Sequence, residues 1–373
     1  MSAGGCLPPD PREYLENSEV AGIRDEADLA EAVRGATGPL RIAGGGTRGG
    51  AGGGLSAAGL TGLVLYEPGA LTLVARAGTP LAEIEAFLVC EGQHLAFEPP
   101  DFRALLGVEG VSTLGGVAAA NAAGPRRVQA GAARDAMIGV RFVDGTGRVV
   151  KNGGRVMKNV TGYDLVKLMA GSRGRLGVIT EVALKVLPAP EAQATLALRG
   201  LDVTGAVAVM ARALGTPYEV TGAAHVPGEG TYLRVEGFAE QVAYRTGRLR
   251  ALFGGAVSAG PGPWAAIRDV AAFAGRAGDV WRVHVRPSDA PAVVARAGAE
   301  AALLDWGGGL VWLLMPPGTD LRPRLAGIPG PAERVRAADP GDGIAALPPE
   351  APGVARLTAG LRASFDPRGV FAA

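Results

Sequence analysis

Two glycine-rich segments hold the residues of this sequence best suited to chemistry. The first, at 44–54, reads GGGTRGGAGGG; the second, at 110–135, reads GVSTLGGVAAANAAGPRRVQAGAARD. Without side chains, consecutive backbone N–H groups can converge on an anion, so glycines between two strands can hold a phosphate. Gly44, Gly46 and Gly49 also satisfy G-x-G-x-x-G by count. That dinucleotide fingerprint needs a helix to open directly after the glycines. Here the next five residues are all glycine or alanine and offer no apolar face. The acidic residue expected about twenty positions on is Glu67, which precedes Pro-Gly in a turn. Nicotinamide binding in the doubly wound manner is a poor reading. A phosphate nest and a plain surface loop both stay open for 44–54. In the second segment Thr113 precedes Gly115-Gly116 and a run of small residues that reads as a helix, a start that phosphate can approach closely.

Other chemistries find less support. The histidines His94, His225 and His284 stand far apart, without metal-ligand spacing. A lone histidine alternating within a strand, as His225 and His284 do, reads as a core or edge residue. Cys6 and Cys90 are too few for a disulfide framework or a cysteine metal site. The chain carries 37 basic and 36 acidic residues, which gives no reason to expect nucleic acid or an anionic membrane as main partner. There are 59 glycines in 373 residues, more than twice the usual share of about 7%, so a single glycine carries little weight. The basic residues are nearly all arginine. The only four lysines, Lys151, Lys158, Lys167 and Lys185, fall within one short stretch. Lysine persists where arginine's wide planar head will not serve, and this singles out 151–185.

The elements that would position these residues can be read from pattern. Asp25 caps a helix over 25–34 that Gly35 ends. A strand at 40–44 runs into the first glycine cluster, and 62–66 pairs with 71–78 around Glu67-Pro68-Gly69. Pro80 opens a helix that stops near Gly92. Residues 141–150 form a hairpin, and 178–188 alternates as a strand before Pro188-Ala189-Pro190, where a domain boundary is expected. Beyond it, strands at 195–200, 219–226, 231–238 and 256–260 with helices at 202–214 and 239–253 spell β-α-β-β-α-β, the ferredoxin-like unit. A second series follows, with a strand at 279–287, a helix at 289–301 and a strand at 310–317. The last helix, 354–367, places Leu357, Leu361 and Phe365 on one side to pack back on the first domain.

In order, GGGT (44–47), FEPPDF (97–102), TLGGVAAANAAGPRR (113–127), GAARD (131–135), GGRVMKNVTGYDLVKLMAGSRGRLGVITE (153–181) and KVLPAP (185–190) resemble the FAD-binding domain of the vanillyl-alcohol oxidase / p-cresol methylhydroxylase family. EPP, AGPRR and VMKNVTGYDL are most similar to one branch, the FAD-binding subunits of bacterial glycolate oxidases. The resemblance is dense over 40–190; beyond 190 it rests on the cap layout and on FDPRGVF (365–371), which stops short of the usual asparagine-proline-glycine continuation. It implies an α+β fold in which a PCMH-type FAD-binding domain of two α/β subdomains (18–190) follows a leader (1–17). A ferredoxin-like antiparallel-sheet cap (191–345) and a C-terminal helix returning to the FAD domain (346–373) complete it.

The resemblance also implies roles at matching positions. Gly44, Gly45, Gly46 and Thr47 would wrap the FAD pyrophosphate. Thr113, Gly115, Gly116 and Asn121 would line its phosphate-ribose and flavin side. Gly124, Arg134 and Asp135 would fix the loop under the ring, and Gly177 and Ile179 would lie near the adenine through backbone. For Lys158, Asn159, Tyr163 and Asp164 a structural role is favoured, Asp164 capping a helix at 165–170 with Lys158 paired to it. Neither 44–54 nor 110–135 holds a histidine or cysteine, so the FAD is expected to be dissociable. The related 2-hydroxy-acid dehydrogenases carry a metal-holding H-x-G-D-G-N-x-H in the cap, which this sequence lacks; no catalytic residue or metal ligand is assigned. The expected role is therefore a FAD-holding, electron-transfer subunit of a glycolate oxidase complex. A self-sufficient FAD-dependent 2-hydroxy-acid dehydrogenase or oxidase is the alternative, and a scaffold with a decayed FAD site a third. The partners implied are a homologous catalytic flavin subunit and an iron–sulfur subunit, since a cluster needs four thiolates. The location expected is cytoplasmic, with docking at the inner face of the membrane through the complex.

Overall fold

The computed structural model of the chain describes residues 23–48, 54–154 and 162–371. Asp25 caps the helix Glu26–Gly35 by accepting from the N–H groups of Ala27 and Asp28, and the helix buries Leu29, Ala30 and Val33. The strand expected at 40–44 shortens to Ile42–Ala43, which pairs in parallel with Leu55–Ser56. Gly44, Gly45 and Gly46, the described glycines that follow the first of these strands, open no helix.

A five-stranded antiparallel sheet forms the first core, in the order Leu63–Glu67, Thr72–Arg76, Val178–Lys185, Met137–Val143 and Val149–Gly153. The strand from Val178 exposes none of its residues, as its central place demands. The helices Leu81–Cys90 and Leu114–Ala119 cover the sheet with Ile84, Leu88 and Val117, against Leu73, Phe142 and Val182. Each such side chain contributes roughly 1.5–3 kcal/mol by leaving water. Pro80 occupies the cap of its helix, one residue before the expected place.

The second sheet has eight strands drawn from 192–336. Its first half orders Val257–Ser258, Ala192–Leu198, Gly230–Gly237 and Val220–Val226, the ferredoxin-like arrangement. Its second half orders Ala301–Asp305, Leu310–Met315, Asp279–His284 and Ala332–Arg336. This is the same pattern reversed, and the two halves join where His225 pairs with Leu304. Two of these strands depart from expectation. The helix read as 289–301 ends at Ala297, because Gly298 turns left-handed (φ 60°), and Ala301–Asp305 is a strand. Ala332–Arg336, between proline- and glycine-rich flanks, has no counterpart in the pattern reading.

The helices Val203–Leu214, Ala239–Leu252 and Ala290–Ala297 cover one face of this sheet. The other face turns toward the first sheet's loops and carries Arg234, Glu236, Arg282 and His284.

The last helix, Pro352–Phe365, buries none of its residues, and Leu357 and Leu361 stay exposed. The expected return of that apolar side to the first domain is thus corrected: only its end comes back. Phe365 stacks near Phe142 at 6.0 Å, and the Asp366 carboxylate accepts from the N–H groups of Val370 and Phe371. This holds Phe371 beside Leu40.

Candidate functional site

The two glycine loops lie against each other, and the fit requires bare backbone. A Cβ on Gly45 would stand 1.6 Å from the Val111 carbonyl oxygen, and one on Gly44 would stand 2.7 Å from Thr113 Oγ1. The Val111 N–H donates to Gly45 O at 3.1 Å. Thr113 caps the helix Leu114–Ala119 through the Gly116 N–H. Gly115 donates to Ala77 O at 2.7 Å, and a Cβ there would stand 2.7 Å from the Ala77 Cβ. Gly46 differs: it is left-handed at φ 75° and a Cβ would meet nothing within 4 Å. Among the described residues, the backbone N–H groups of Gly44 through Arg48 donate to no protein acceptor. A run of unpaired N–H groups beside a side-chain-free loop is the donor set a pyrophosphate requires. The residues present therefore fit the diphosphate of a dinucleotide.

The next group is tied together behind the capped helix. Asn121, at φ 47°, accepts the Arg134 N–H on its Oδ1 at 2.9 Å. Asp135 accepts from the Ala132 N–H at 2.8 Å, and Gly131 yields the space its carboxylate fills. Lys167 Nζ donates to the carbonyls of Arg134 and Met137, which gives one lysine of the 151–185 group a role suited to a compact ammonium. Asp164 caps the helix Leu165–Met169, while Tyr163 is 88% exposed. Lys158 and Asn159 lie outside the described residues. Gly177 immediately precedes the central strand of the first sheet and Ile179 lies within it; a Cβ on Gly177 would meet Phe142 at 2.8 Å, and Ile179 pairs with Phe142. Ile179 shares the first core with Ala122 and Ala133, the chain neighbours of Asn121 and Arg134.

Gly124 faces the second sheet instead. Its carbonyl accepts from Trp306 Nε1 at 2.9 Å, and its bare Cα lets Glu98 O approach. Around it runs a buried ionic network. Glu98 accepts both Arg234 Nη atoms at 2.8 and 2.9 Å and the Arg126 N–H at 2.9 Å. Arg126 pairs in turn with Glu236, which accepts from Thr221 and lies beside Arg234. Arg126 also reaches His94 Nε2 at 3.2 Å, and burial, reinforced by that guanidinium, pushes His94 down to about 4. The FEPPDF and AGPRR blocks thus join the two sheets.

Sequence reasoning passed over a second set at the same junction: Arg48, Arg127, Arg282 and His284. Burial and then Arg282 push Arg48 down to about 10. Burial, Arg282 and Arg127 push His284 down to about 4, so its ring is neutral at pH 7. A signal was present. Tyr232-Arg234-Glu236 and Val280-Arg282-His284 alternate with apolar residues, which puts both charged sets on one face. His225, by contrast, is buried against Thr231 Oγ1 at 3.0 Å, as a structural histidine. Among the described residues, no three His, Cys, Asp or Glu side chains converge as metal ligands.

Comparison with known proteins accords with this geometry. Residues 18–153 match the FAD binding domain family. The chain is 38% identical to glycolate oxidase subunit GlcE of Escherichia coli (strain K12) over 312 residues, 83% of each chain. It is 40% identical to glycolate oxidase subunit GlcD of Bacillus subtilis (strain 168) over 100 residues, 27% of this chain and 20% of that one. It is 47% identical to a D-lactate dehydrogenase of Anaerostipes hadrus over 88 residues, 24% of this chain and 18% of that one. A solved structure of alkyldihydroxyacetonephosphate synthase shares the fold at a TM-score of 0.67 and 15% identity, over 94% of this chain and 75% of that one.

Proposed function

The chain belongs to the glycolate oxidase GlcE subunit family, and from that premise we propose that it holds FAD without a covalent link as one subunit of a glycolate-oxidising assembly. The family is one of FAD-binding oxidoreductases. The observation that carries the proposal is 38% identity over 83% of both chains, joined to a first glycine loop whose N–H groups from Gly44 to Arg48 donate to no acceptor among the described residues.

In this reading Gly44, Gly45, Gly46 and Thr47 hold the pyrophosphate through backbone N–H groups. Thr113, Gly115 and Gly116 form the facing wall, and Gly44 and Gly45 set how closely the two walls approach. Asn121, Arg134 and Asp135 brace the loop behind, and Gly124 fixes it to the second sheet. Gly177 and Ile179 serve the adenine end through backbone. Bound there, FAD supplies acceptance of hydride or relay of electrons. The chain's own residues position it and limit water at the junction of the sheets.

The assembly would include a GlcD-type flavin subunit that oxidises glycolate to glyoxylate. An iron–sulfur subunit would take the electrons onward, because two cysteines in this chain cannot ligate a cluster. No helix among the described residues is long and apolar enough to cross a membrane. Cytoplasmic residence, with docking at the inner face of the cytoplasmic membrane through the complex, follows as part of the proposal. So does the division into an FAD domain (18–190), a cap (191–345) and a returning C-terminal segment (346–373).

The test is the visible spectrum of the full-length chain, alone and with glycolate, followed by denaturation. A flavin spectrum, release of the flavin into the supernatant and no bleaching by glycolate are expected. A chain that takes up no FAD would sink the proposal. Bleaching by glycolate would instead establish self-sufficient dehydrogenase activity.

A further inference from the structure

The helix Pro352–Phe365 lacks the cover that its apolar stripe calls for. Val354, Leu357 and Leu361 stand at i, i+3 and i+7 and are 53%, 71% and 38% exposed, while the helix buries none of its residues. Its apolar hold on the chain is Phe365, in the last turn, which packs on the first core. Beside the earlier turns lies a cavity of about 370 Å³, lined in part by Thr358 and Arg362 of the helix and by Arg175 and Glu350. A helix of this length is marginal in water without packing, and Gly360 weakens its middle. A Cβ on Gly360 would meet nothing within 4 Å, so another backbone can come close there.

Apolar anchors at i, i+3 and i+7, on a helix that stands clear of its own chain, are what a helix-in-groove contact uses. Charge narrows the occupant. The helix carries Arg356 and Arg362 and no carboxylate, and Arg175 adds a third cation against Glu350. A second copy laid on the stripe would bring like charges together, which costs affinity, whereas a groove with an acidic rim is complementary. Position narrows it further. Phe365 lies beside Phe142, which also crowds Gly177 and pairs with Ile179, the residues given above to the adenine end of FAD. A subunit that draws electrons from the flavin must approach the ring, at the other end of the cofactor. We infer that Val354, Leu357 and Leu361 dock in an apolar, acidic-rimmed groove of the GlcD-type flavin subunit. That the groove belongs to this subunit rests on the function proposed above; the uncovered stripe does not.

The test is the dissociation constant between the full-length chain and the purified GlcD-type subunit, with light scattering on the chain alone. Saturable binding and a monomeric chain are expected. Leu357→Ser and Leu361→Ser should each weaken binding about tenfold or more, as loss of a buried leucine side chain does. Wild-type binding should weaken as salt is raised, and less steeply for Arg356→Gln. Val257→Ser, at a valine of the second sheet as exposed as Val354, should bind as the wild type does. Flavin absorbance and melting temperature are read on the same samples. Both should stay at wild-type values in the leucine variants, so that lost binding reports the surface rather than the fold. Should either leucine variant unfold, the salt dependence of Arg356→Gln decides. Leucine variants that bind like the wild type would defeat this inference alone. So would a chain dimer that Leu357→Ser dissolves, or loss of the iron–sulfur subunit in place of the GlcD-type one when all three are co-expressed. A wild-type chain that joins neither subunit would defeat the assembly reading, and the assignment of the groove with it.

Discussion

Glu98 bears the largest share of the ionic junction: it receives Arg234 in a two-pronged pair and the Arg126 N–H besides. Arg234 is almost wholly buried and also lies over Trp264 at 4.7 Å. Removing one partner of a buried pair leaves the other uncompensated, at a cost of about 3–5 kcal/mol. Glu98→Gln should therefore lower the melting temperature sharply in thermal unfolding, and a second change, Arg234→Met, should recover part of the loss. Asp305 makes a different statement. Fully buried, it is pushed up to about 7, chiefly by desolvation and despite the Trp306 N–H that it accepts. Its folded state holds the proton more tightly than its unfolded one. Stability from this group is therefore present below about pH 4 and falls as pH rises toward 7, by up to about 1.4 kcal/mol per pH unit. Asp305→Asn keeps the acceptor and removes the titration. Its melting temperature should gain on the wild type between pH 5 and 7, and parallel curves would refute the assignment.

Among the elements, the two glycine loops invite a contrast between neighbours. Gly45→Ala drives a methyl into the Val111 carbonyl, so it should lower both stability and FAD content. Gly46→Ala meets open space and pays only for a left-handed backbone, about 1–2 kcal/mol. It should lower FAD affinity, read by titrating the apo-chain with FAD, with a smaller loss of stability than Gly45→Ala. Equal effects in both measurements would mean that the loops serve packing alone. The C-terminal helix offers a second contrast. Leu357 is 71% exposed, so Leu357→Ser should change the stability of the isolated chain by no more than about 0.5 kcal/mol. Phe365→Ala should cost about 2 kcal/mol or more, because Phe365 packs on the first core beside Phe142.

For the whole molecule, the junction between the two sheets joins the ionic network to an apolar cluster that seats Phe102 and Leu105 on the second sheet, and the cofactor loops lie beside it. Ligand bound to the folded state adds stability by mass action, about 2.7 kcal/mol at a hundred times its dissociation constant. FAD should raise the melting temperature of the apo-chain, and the rise should grow with FAD concentration. An unmoved melting temperature at saturating FAD would separate the loops from cofactor binding.

The sequence by itself determined the elements whose signals are local. Asp25 and Asp164 cap where short polar side chains meet helix starts, and alternation reveals most strands of the second sheet. The ordered glycine and proline blocks point to FAD through the family they resemble; backbone approach to phosphate alone leaves the first loop open between an anion nest and a plain turn. Strands without a local signature were not legible: Ala301–Asp305 follows a helix whose end only Gly298 marks, and Ala332–Arg336 is made by pairing with Asp279–His284. Only the tertiary structure decided which arginines matter. In an arginine-rich chain, composition cannot rank them. The fold ranks them by bringing Arg48 and Arg127 from the glycine loops to Arg282 and His284 on the sheet. There burial, rather than residue type, removes the water that would otherwise satisfy their charge.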